Sequence, residues 1–263
     1  MQEIVTTAIK TAAKDSSLIK DIYKDTLQPA TKNLGQALGT LSSTLNVLLA
    51  PFSWAVYGFN QIDSLVKSKL EEKLSNTPLE NLREPEPNIV IPAYEALRYT
   101  LDKENLREMY INLISNSMKI DTANYVHPAF VEVIKQFSFF DAELLEKLFG
   151  TSFTPIPKVK VRIQKSQYDN TGFDLYDSII SNNFYDFHYT IKYNISLDNL
   201  ERLKIIKVHD NNQLLNENEY ESIINNFNID LHQKMFPDLS YVNLIKGSIS
   251  LTNFGRELVS NIF

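Results

Sequence analysis

The chain has 263 residues, of which 43% are hydrophobic and 22% are charged, and its formal net charge is −6 at pH 7. A chain of this size and composition can bury one large core or two modest ones, and zero cysteines exclude disulfides and thiolate metal sites. The acidic balance argues against a protein whose whole surface binds nucleic acid.

The N-terminal region is predicted to be helical and contains a long segment without charge. Residues 33–62, between Lys32 and Asp63, carry no charged side chain. Leucines and aromatic residues recur there at steps of three and four, which predicts a helix with an apolar stripe. Pro51 should kink or end that helix.

Two interpretations of this segment remain open. It is either a helix buried inside a helical domain, or a helical unit that associates with a membrane or a partner. Aromatic residues near one end suit an interface, whereas the densest apolar run, residues 47–59, is short for a membrane span. The candidate membrane- or partner-binding residues are Leu45, Leu48, Leu49, Phe52 and Trp54.

The central region also has helical patterns. An amphipathic helix is predicted over about 62–74, and the prolines in residues 83–87 indicate a boundary. Three helices and a short fourth one, capped by Asp141 and ending at Gly150, are expected next. We therefore predict an N-terminal helical region (1–84), a central helical block (85–150) and a smaller α+β domain (151–263).

The C-terminal region begins with a change of pattern. Residues 158–165 alternate polar with apolar side chains, which predicts a half-buried strand with a basic outer face. Residues 166–193 are predicted to form a loop, with at most one helix near 176–180. A helix capped by Ser196 and extending to Ile206, a polar helix over about 217–235, and a final strand and helix joined by a Thr252 cap follow.

A set of residues between Glu86 and Leu148 resembles a known family: Pro92, Leu106, Glu108, Asn112, Leu113, His127, Pro128, Phe130, Ile134, Asp141, Leu144 and Leu145. These residues resemble the abortive-infection alpha family of bacterial proteins. With similar segments further on, the resemblance covers most of residues 18–258. It implies a role in phage defence and no particular reaction.

The C-terminal order of elements is also similar to the winged-helix pattern. A short helix AELLEKL, a recognition-type helix DNLERLKII and a closing ISLTNFGREL follow one another. Lys204 stands where winged helices usually have glycine, and an insertion is required between Val208 and Ile249. The predicted fold class is therefore mainly α, with a smaller α+β winged-helix-like C-terminal domain.

The sequence lacks the common signatures of catalysis. It has no phosphate-binding loop, dinucleotide fingerprint or serine elbow, and its four histidines lack ligand spacing. We expect no enzymatic activity, no cofactor and no metal. His127 precedes Pro128 and is expected to cap a turn or to join a buried network with Glu108 or Asn112.

A nucleic-acid interface is the second functional hypothesis. Cations on the predicted strand and on the recognition-type helix would together contact DNA, although acidic residues dilute them and a solvated or protein-binding face fits the same pattern. The candidate contacts are Lys158, Lys160, Arg162, Lys165, Arg202, Lys204 and Lys207.

These patterns lead to one main functional prediction. We expect a non-enzymatic phage-defence component that acts through a protein partner, self-association or a membrane, without a small-molecule substrate. Because the first residues lack a secretory signal, we place it in the cytoplasm or at the periphery of the inner membrane. The alternative is a DNA-binding regulator that uses the C-terminal domain.

Overall fold

The computed structural model describes residues 41–52, 59–180, 187–225, 227–239 and 241–263. Short 3-10 turns occur at Ala50–Phe52, Leu79–Asn81 and Ala123–Tyr125. The α-helices of the described part are α1 (Leu41–Leu49), α2 (Phe59–Leu74), α3 (Pro87–Leu97), α4 (Glu104–Ser117), α5 (Ala129–Ile134), α6 (Phe139–Phe149), α7 (Phe187–Arg202), α8 (Asn218–Ile224), α9 (Ile229–Met235) and α10 (Asn253–Ile262).

The strands within these ranges form a four-stranded antiparallel sheet in the order β2-β1-β4-β3. They are β1 (Ile156–Ser166), β2 (Asp169–Ile179), β3 (Ile206–His209) and β4 (Tyr241–Leu251). Three strands have 11 residues each, so the sheet is a major part of the fold. The prediction of a mainly α protein is therefore wrong, because the fold is mixed α/β, whereas the predicted α+β character of the C-terminal part fits.

Two strands differ from the prediction: β3 begins at a residue predicted to end a helix, and β2 lies in the stretch predicted to be a loop. β2 is an edge strand, and most of its residues before Ser178 are exposed or half-buried, so it lacks the alternation that identifies a half-buried strand. β1 and β2 form a hairpin whose pairing shifts at three points, between Val159 and Val161, Val161 and Arg162, and Gln164 and Ser166. Those irregularities curl the sheet.

The apolar N-terminal helix ends where proline predicts it. α1 stops at Leu49, and the chain continues as a 3-10 turn through Pro51, because proline removes a backbone donor. The expected end of the helix at Pro51 is confirmed. Positions 33–40 and 53–58 of the charge-free segment lie outside the described residues.

The cap of α6 differs in detail from the prediction. Ser138 is the N-cap residue and accepts from the backbone N–H of Asp141 at 3.2 Å, while Asp141 accepts from the backbone N–H of Ser138 at 2.6 Å. This capping box satisfies two backbone donors at the start of the helix. Asp141 is thus the third residue of α6 and not its cap.

The C-terminal helix α10 is attached to the central helices by side-chain amides. Asn112 of α4 donates to the Ile262 carbonyl at 2.7 Å, and Asn116 donates to the Asn261 carbonyl at 3.2 Å. Thr252 accepts from the Gly255 N–H and so begins α10, which confirms the predicted cap. The last helix of the chain is therefore attached to α4 in the central helical block.

Two clusters of buried residues hold these elements together. The main core takes side chains from α1 to α7, from β3 and the end of β4, and from α10. The second core lies between the sheet and α8, and contains Val159, Val161, Ile163, Tyr220 and Ile223. The main core contains residues from before and after positions 84 and 150, where the boundaries between the three regions were predicted. The division into three regions stays a prediction.

The winged-helix expectation is not confirmed. α7 begins at Phe187 and ends at Arg202, so the predicted cap Ser196 lies inside the helix and the predicted end at Ile206 is too late, because Ile206 begins β3. Lys204 has a φ of 60°, a left-handed conformation that ends a helix and that glycine usually occupies. The expected polar helix over 217–235 is two helices, α8 and α9, inserted between β3 and β4.

Candidate functional site

The apolar stripe of α1 faces the main core. The side chains of Leu45 and Leu49 are fully buried, Phe52 in the following turn is 2% exposed, and Leu48 is half-buried against the same core. α1 packs on α2. Trp54, the fifth candidate contact residue, lies outside the described residues.

The partner surface for α1 is itself a regular stripe. α2 buries Ile62, Val66, Leu70 and Leu74, one residue per helical turn. Burying a leucine side chain is worth about 1.5–3 kcal/mol relative to exposing it, so Leu45 and Leu49 attach α1 firmly in this arrangement. In this structure the apolar stripe of α1 is buried. Contact of the same side chains with a membrane or a partner would therefore require α1 to separate from α2.

The other side of α1 is polar and exposed. Ser42 and Asn46 are exposed, while the half-buried Leu48 lies at the edge of the buried stripe. A helix of nine residues is only marginally stable alone in water, so its conformation depends on the surface it packs against.

The predicted basic strand has a different environment from the one expected. Lys158 on β1 is 1% exposed at its side chain and forms an ion pair with Asp210, the residue after β3. Its ammonium group also donates to the Asp177 carbonyl at 3.1 Å and to the Ser178 hydroxyl at 3.4 Å. The buried ammonium group of Lys158 therefore connects β1 with β2 and with the residue after β3. It is not available to bind a phosphate.

The next two cations of β1 are also held by acids. Lys160 Nζ lies 2.8 Å from Asp174, 3.4 Å from Asp177 and 3.6 Å from Asp210. Arg162 lies 2.7 Å from Asp174 and donates to two carbonyl oxygens of β2. The predicted basic face of β1 is thus an ion-pair network in which the charges of three cations and three aspartates cancel.

The pKa values in the network follow from this pairing. The hydrogen bond between Lys160 and Asp174 raises the pKa of Lys160 and lowers that of Asp174. Burial alone would raise the pKa of Asp210, but the hydrogen bond and charge of Lys158 hold it below its usual value. Burial, followed by the charges of Asp177 and Glu201, raises the pKa of nearby Asp198.

The remaining predicted cations are scattered. Arg202 donates to Asn199 Oδ1 at 2.7 Å and to Gln136 Oε1 at 3.0 Å, which attaches α7 to the residues before α6. Lys165 lies 4.0 Å from Asp169, and Lys204 and Lys207 are exposed. The structure therefore brings together three of the seven predicted nucleic-acid contacts, and those three face aspartates.

Sequence reasoning missed the acidic half of this network. Asp174 and Asp177 lie in the stretch that was assigned to a loop, and Asp210 is 52 residues from its partner Lys158. Phe173, Asp174 and Leu175 alternate apolar with acidic side chains over three residues, which is too short a pattern to predict a strand.

His127 has the structural role that was expected of it. The Ala129 N–H donates to its Nδ1 at 3.0 Å, and its ring contacts the rings of Phe130 and Phe254. It therefore caps the turn that begins α5. The alternative partner Glu108 instead pairs with two lysines of α2, Lys73 at 3.1 Å and Lys69 at 3.4 Å.

A cleft of about 400 Å³ lies beside Glu108, between α4, α6 and the end of α10. Its lining includes Glu104, Glu146, Asn112 and Met109. Burial would raise the pKa of Glu108, but Lys73 and Lys69 lower it, so the carboxylate is charged and bound. Among the described residues, no group of three or more histidines and acids has the arrangement of a metal site.

The resemblance to a known family extends over most of the chain. The model of the abortive infection alpha family (Abi_alpha) matches residues 59–262. The chain belongs to the abortive infection alpha family. Comparison with curated proteins and with solved structures gives no match.

The family match separates the two candidate surfaces of this abortive infection alpha protein. The matched region begins at α2 and includes the ion-pair network, whereas α1 precedes it. Over the ranges that the structure describes, no helix is both long and apolar enough to cross a membrane. α1 is therefore a short apolar helix packed on the first helix of the family region.

Proposed function

We propose that the protein is a non-enzymatic component of bacterial abortive infection that acts by association with a membrane or another protein. The apolar stripe of α1 is the contact surface. The observation that carries the proposal is the placement of three large apolar side chains against the family region: Leu45 and Leu49 on a helix without charge, and Phe52 in the turn that follows it.

Association requires a change of partner for α1. In the resting protein the stripe packs against α2, and a trigger during infection moves it to an outside apolar surface. The two surfaces compete for the same side chains, so the equilibrium shifts only if the outside surface offsets the burial lost inside. A helix without charge loses little on transfer to an apolar surface, which supports this exchange.

Contact with DNA through the C-terminal region receives less support. Nucleic-acid affinity comes mainly from cations that neutralise phosphates. Lys158, Lys160 and Arg162 would have to leave their aspartates first. The alternative of a DNA-binding regulator stays a prediction.

Two experiments test the proposal. Bacteria that make the protein are infected with a panel of phages, and plaque formation and cell survival are compared with an empty-vector control. Fewer plaques together with death of infected cells is the expected result; equal plaque numbers across the panel contradict a role in defence. Membranes from infected and uninfected cells are then washed with salt and with carbonate.

The fractionation distinguishes the two kinds of partner. Retention of the protein through carbonate after infection supports entry of α1 into the bilayer. Recovery in the soluble fraction in a complex of increased mass supports a protein partner. Recovery in the soluble fraction with the same mass before and after infection contradicts action by association.

A further inference from the structure

A separate cleft of about 350 Å³ lies between the end of α3, the first half of α4 and the end of α5. Its walls include the apolar side chains of Leu106, Ile134 and Phe137, and its volume is within the range of small-molecule sites. It shares no lining residue with the cleft beside Glu108. Neither α1 nor the ion-pair network contributes to it.

The lining contains a tyrosine whose hydroxyl has no hydrogen-bond partner among the residues that the structure describes. The side chain of Tyr110 is 1% exposed, and its hydroxyl makes no hydrogen bond with any residue that the structure describes. Buried hydroxyl groups are normally hydrogen-bonded, because losing water without a replacement is unfavourable. Burial, and then the charge of Glu132, raise the pKa of Tyr110, so its hydroxyl stays protonated and can donate.

The rim of the cleft is aromatic and cationic. Tyr99 is 73% exposed, and the guanidinium of Arg98 lies 5.6 Å from its ring centroid. Lys103 is exposed and forms no ion pair within the described ranges, whereas Lys135 is paired with Glu132 at 2.7 Å. The lining has one carboxylate, Glu95, and because Lys135 is neutralised by Glu132, Lys103 is the cation of the lining that has no ion pair among the described residues.

We propose that this cleft binds a small aromatic anion. The aromatic body packs against Tyr99 and the apolar wall, the Tyr110 hydroxyl donates to a polar atom of the ligand, and the anionic group lies next to Lys103. Aromatic rings and aliphatic walls favour a planar body, and the unpaired ammonium group favours a negative charge. The proposal is independent of any role for α1.

Equilibrium dialysis of the full chain with 2-naphthoate tests this inference. The uncharged 2-naphthamide has the same ring system and serves as the control for charge. We expect the wild-type protein to bind naphthoate more tightly than naphthamide. Lys103→Gln should weaken naphthoate binding and leave naphthamide binding unchanged, and Lys207→Gln, which removes an exposed lysine of β3, should change neither.

Tyr110→Phe removes the hydroxyl and keeps the ring. We expect roughly 3- to 10-fold weaker naphthoate binding, the loss of about one hydrogen bond. The melting temperature should not fall, because the hydroxyl makes no hydrogen bond with the part of the chain that the structure describes. A folded Tyr110→Phe protein with unchanged affinity, equal binding of naphthoate and naphthamide, or no wild-type binding at about 1 mM naphthoate would each overturn the proposal.

Discussion

The side chain of Lys158 crosses over Gly247 of the neighbouring strand before its ammonium group reaches Asp210. Lys158 and Gly247 are register partners in β1 and β4, and a Cβ on Gly247 would lie 2.9 Å from Lys158 Cε. The same Cβ would collide with the carbonyl oxygen of His209 in β3. The absent side chain at position 247 thus lets a buried lysine connect three strands.

Gly247→Ala should therefore be strongly destabilising. Because the collision with His209 involves backbone, the strands must separate, and we expect a loss of about 2–4 kcal/mol in the free energy of unfolding. Urea denaturation followed by circular dichroism measures it. The double variant Gly247→Ala, Lys158→Ala should remain destabilised, and a stability within about 0.5 kcal/mol of wild type for the single variant would refute the close approach of β3.

The ion pair of Lys158 with Asp210 should respond unequally to removal of its two members. Lys158→Met replaces the buried cation by an apolar chain of similar length and should cost about 1 kcal/mol or less. Asp210→Ala leaves the buried ammonium group without its counter-ion and should cost about 1–3 kcal/mol. Chemical denaturation of both variants gives the order, and a larger loss for Lys158→Met would contradict burial of the charge.

Asp174 predicts a pH dependence of stability. Its pKa is lowered in the folded protein by the hydrogen bond from Lys160, relative to an unfolded value of about 3.9. Its contribution to stability is therefore present above about pH 4 and is lost as the pH falls through the folded pKa. Asp174→Asn should lower stability by about 1 kcal/mol at pH 7, and the difference from wild type should shrink below pH 4.

The control for this prediction is Asp121→Asn, at an exposed aspartate that forms no ion pair within the described ranges. Its stability should follow that of the wild type at both pH values. A difference between Asp174→Asn and wild type that is constant from pH 7 to pH 3 would show that the carboxylate is not held by Lys160.

The pairing of the basic strand also predicts weak interaction with DNA. In a mobility-shift assay at low salt, we expect no complex with duplex DNA at micromolar protein, because the cations of β1 are neutralised by aspartates. A complex that is lost when Lys158, Lys160 and Arg162 are all changed to Ala would instead favour the DNA-binding alternative.

Local sequence signals predicted the parts of the fold that depend on local chemistry. The end of α1 at Pro51, the Thr252 cap and the first strand follow from proline geometry, side-chain capping and alternation. β2 could not be found in the same way, because most of this edge strand is exposed or half-buried and it is stabilised by backbone pairing with β1, which leaves no apolar alternation in the sequence.

The candidate site shows the same division between local and long-range information. The apolar stripe of α1 is visible in the spacing of Leu45 and Leu49, whereas its burial against α2 depends on tertiary packing. The cations of β1 are visible as a pattern, but their acids lie on other strands. The Tyr110 cleft combines three helices, and no spacing in the sequence indicates it.

The central claim, that the apolar stripe of α1 carries the defence function, is tested by one substitution with a matched control. Leu48 is half-buried at the edge of the stripe, so Leu48→Asp should leave a folded protein while placing a charge on the contact surface. Asn46→Asp places the same charge two residues earlier, on the exposed side of the helix.

The measurement is plaque formation by a phage that the wild-type protein restricts, with melting temperatures recorded for both variants. Our account predicts that Leu48→Asp loses restriction, because a charged carboxylate on the stripe opposes transfer to an apolar surface, and that Asn46→Asp restricts like the wild type. Full restriction by a folded Leu48→Asp protein would contradict it.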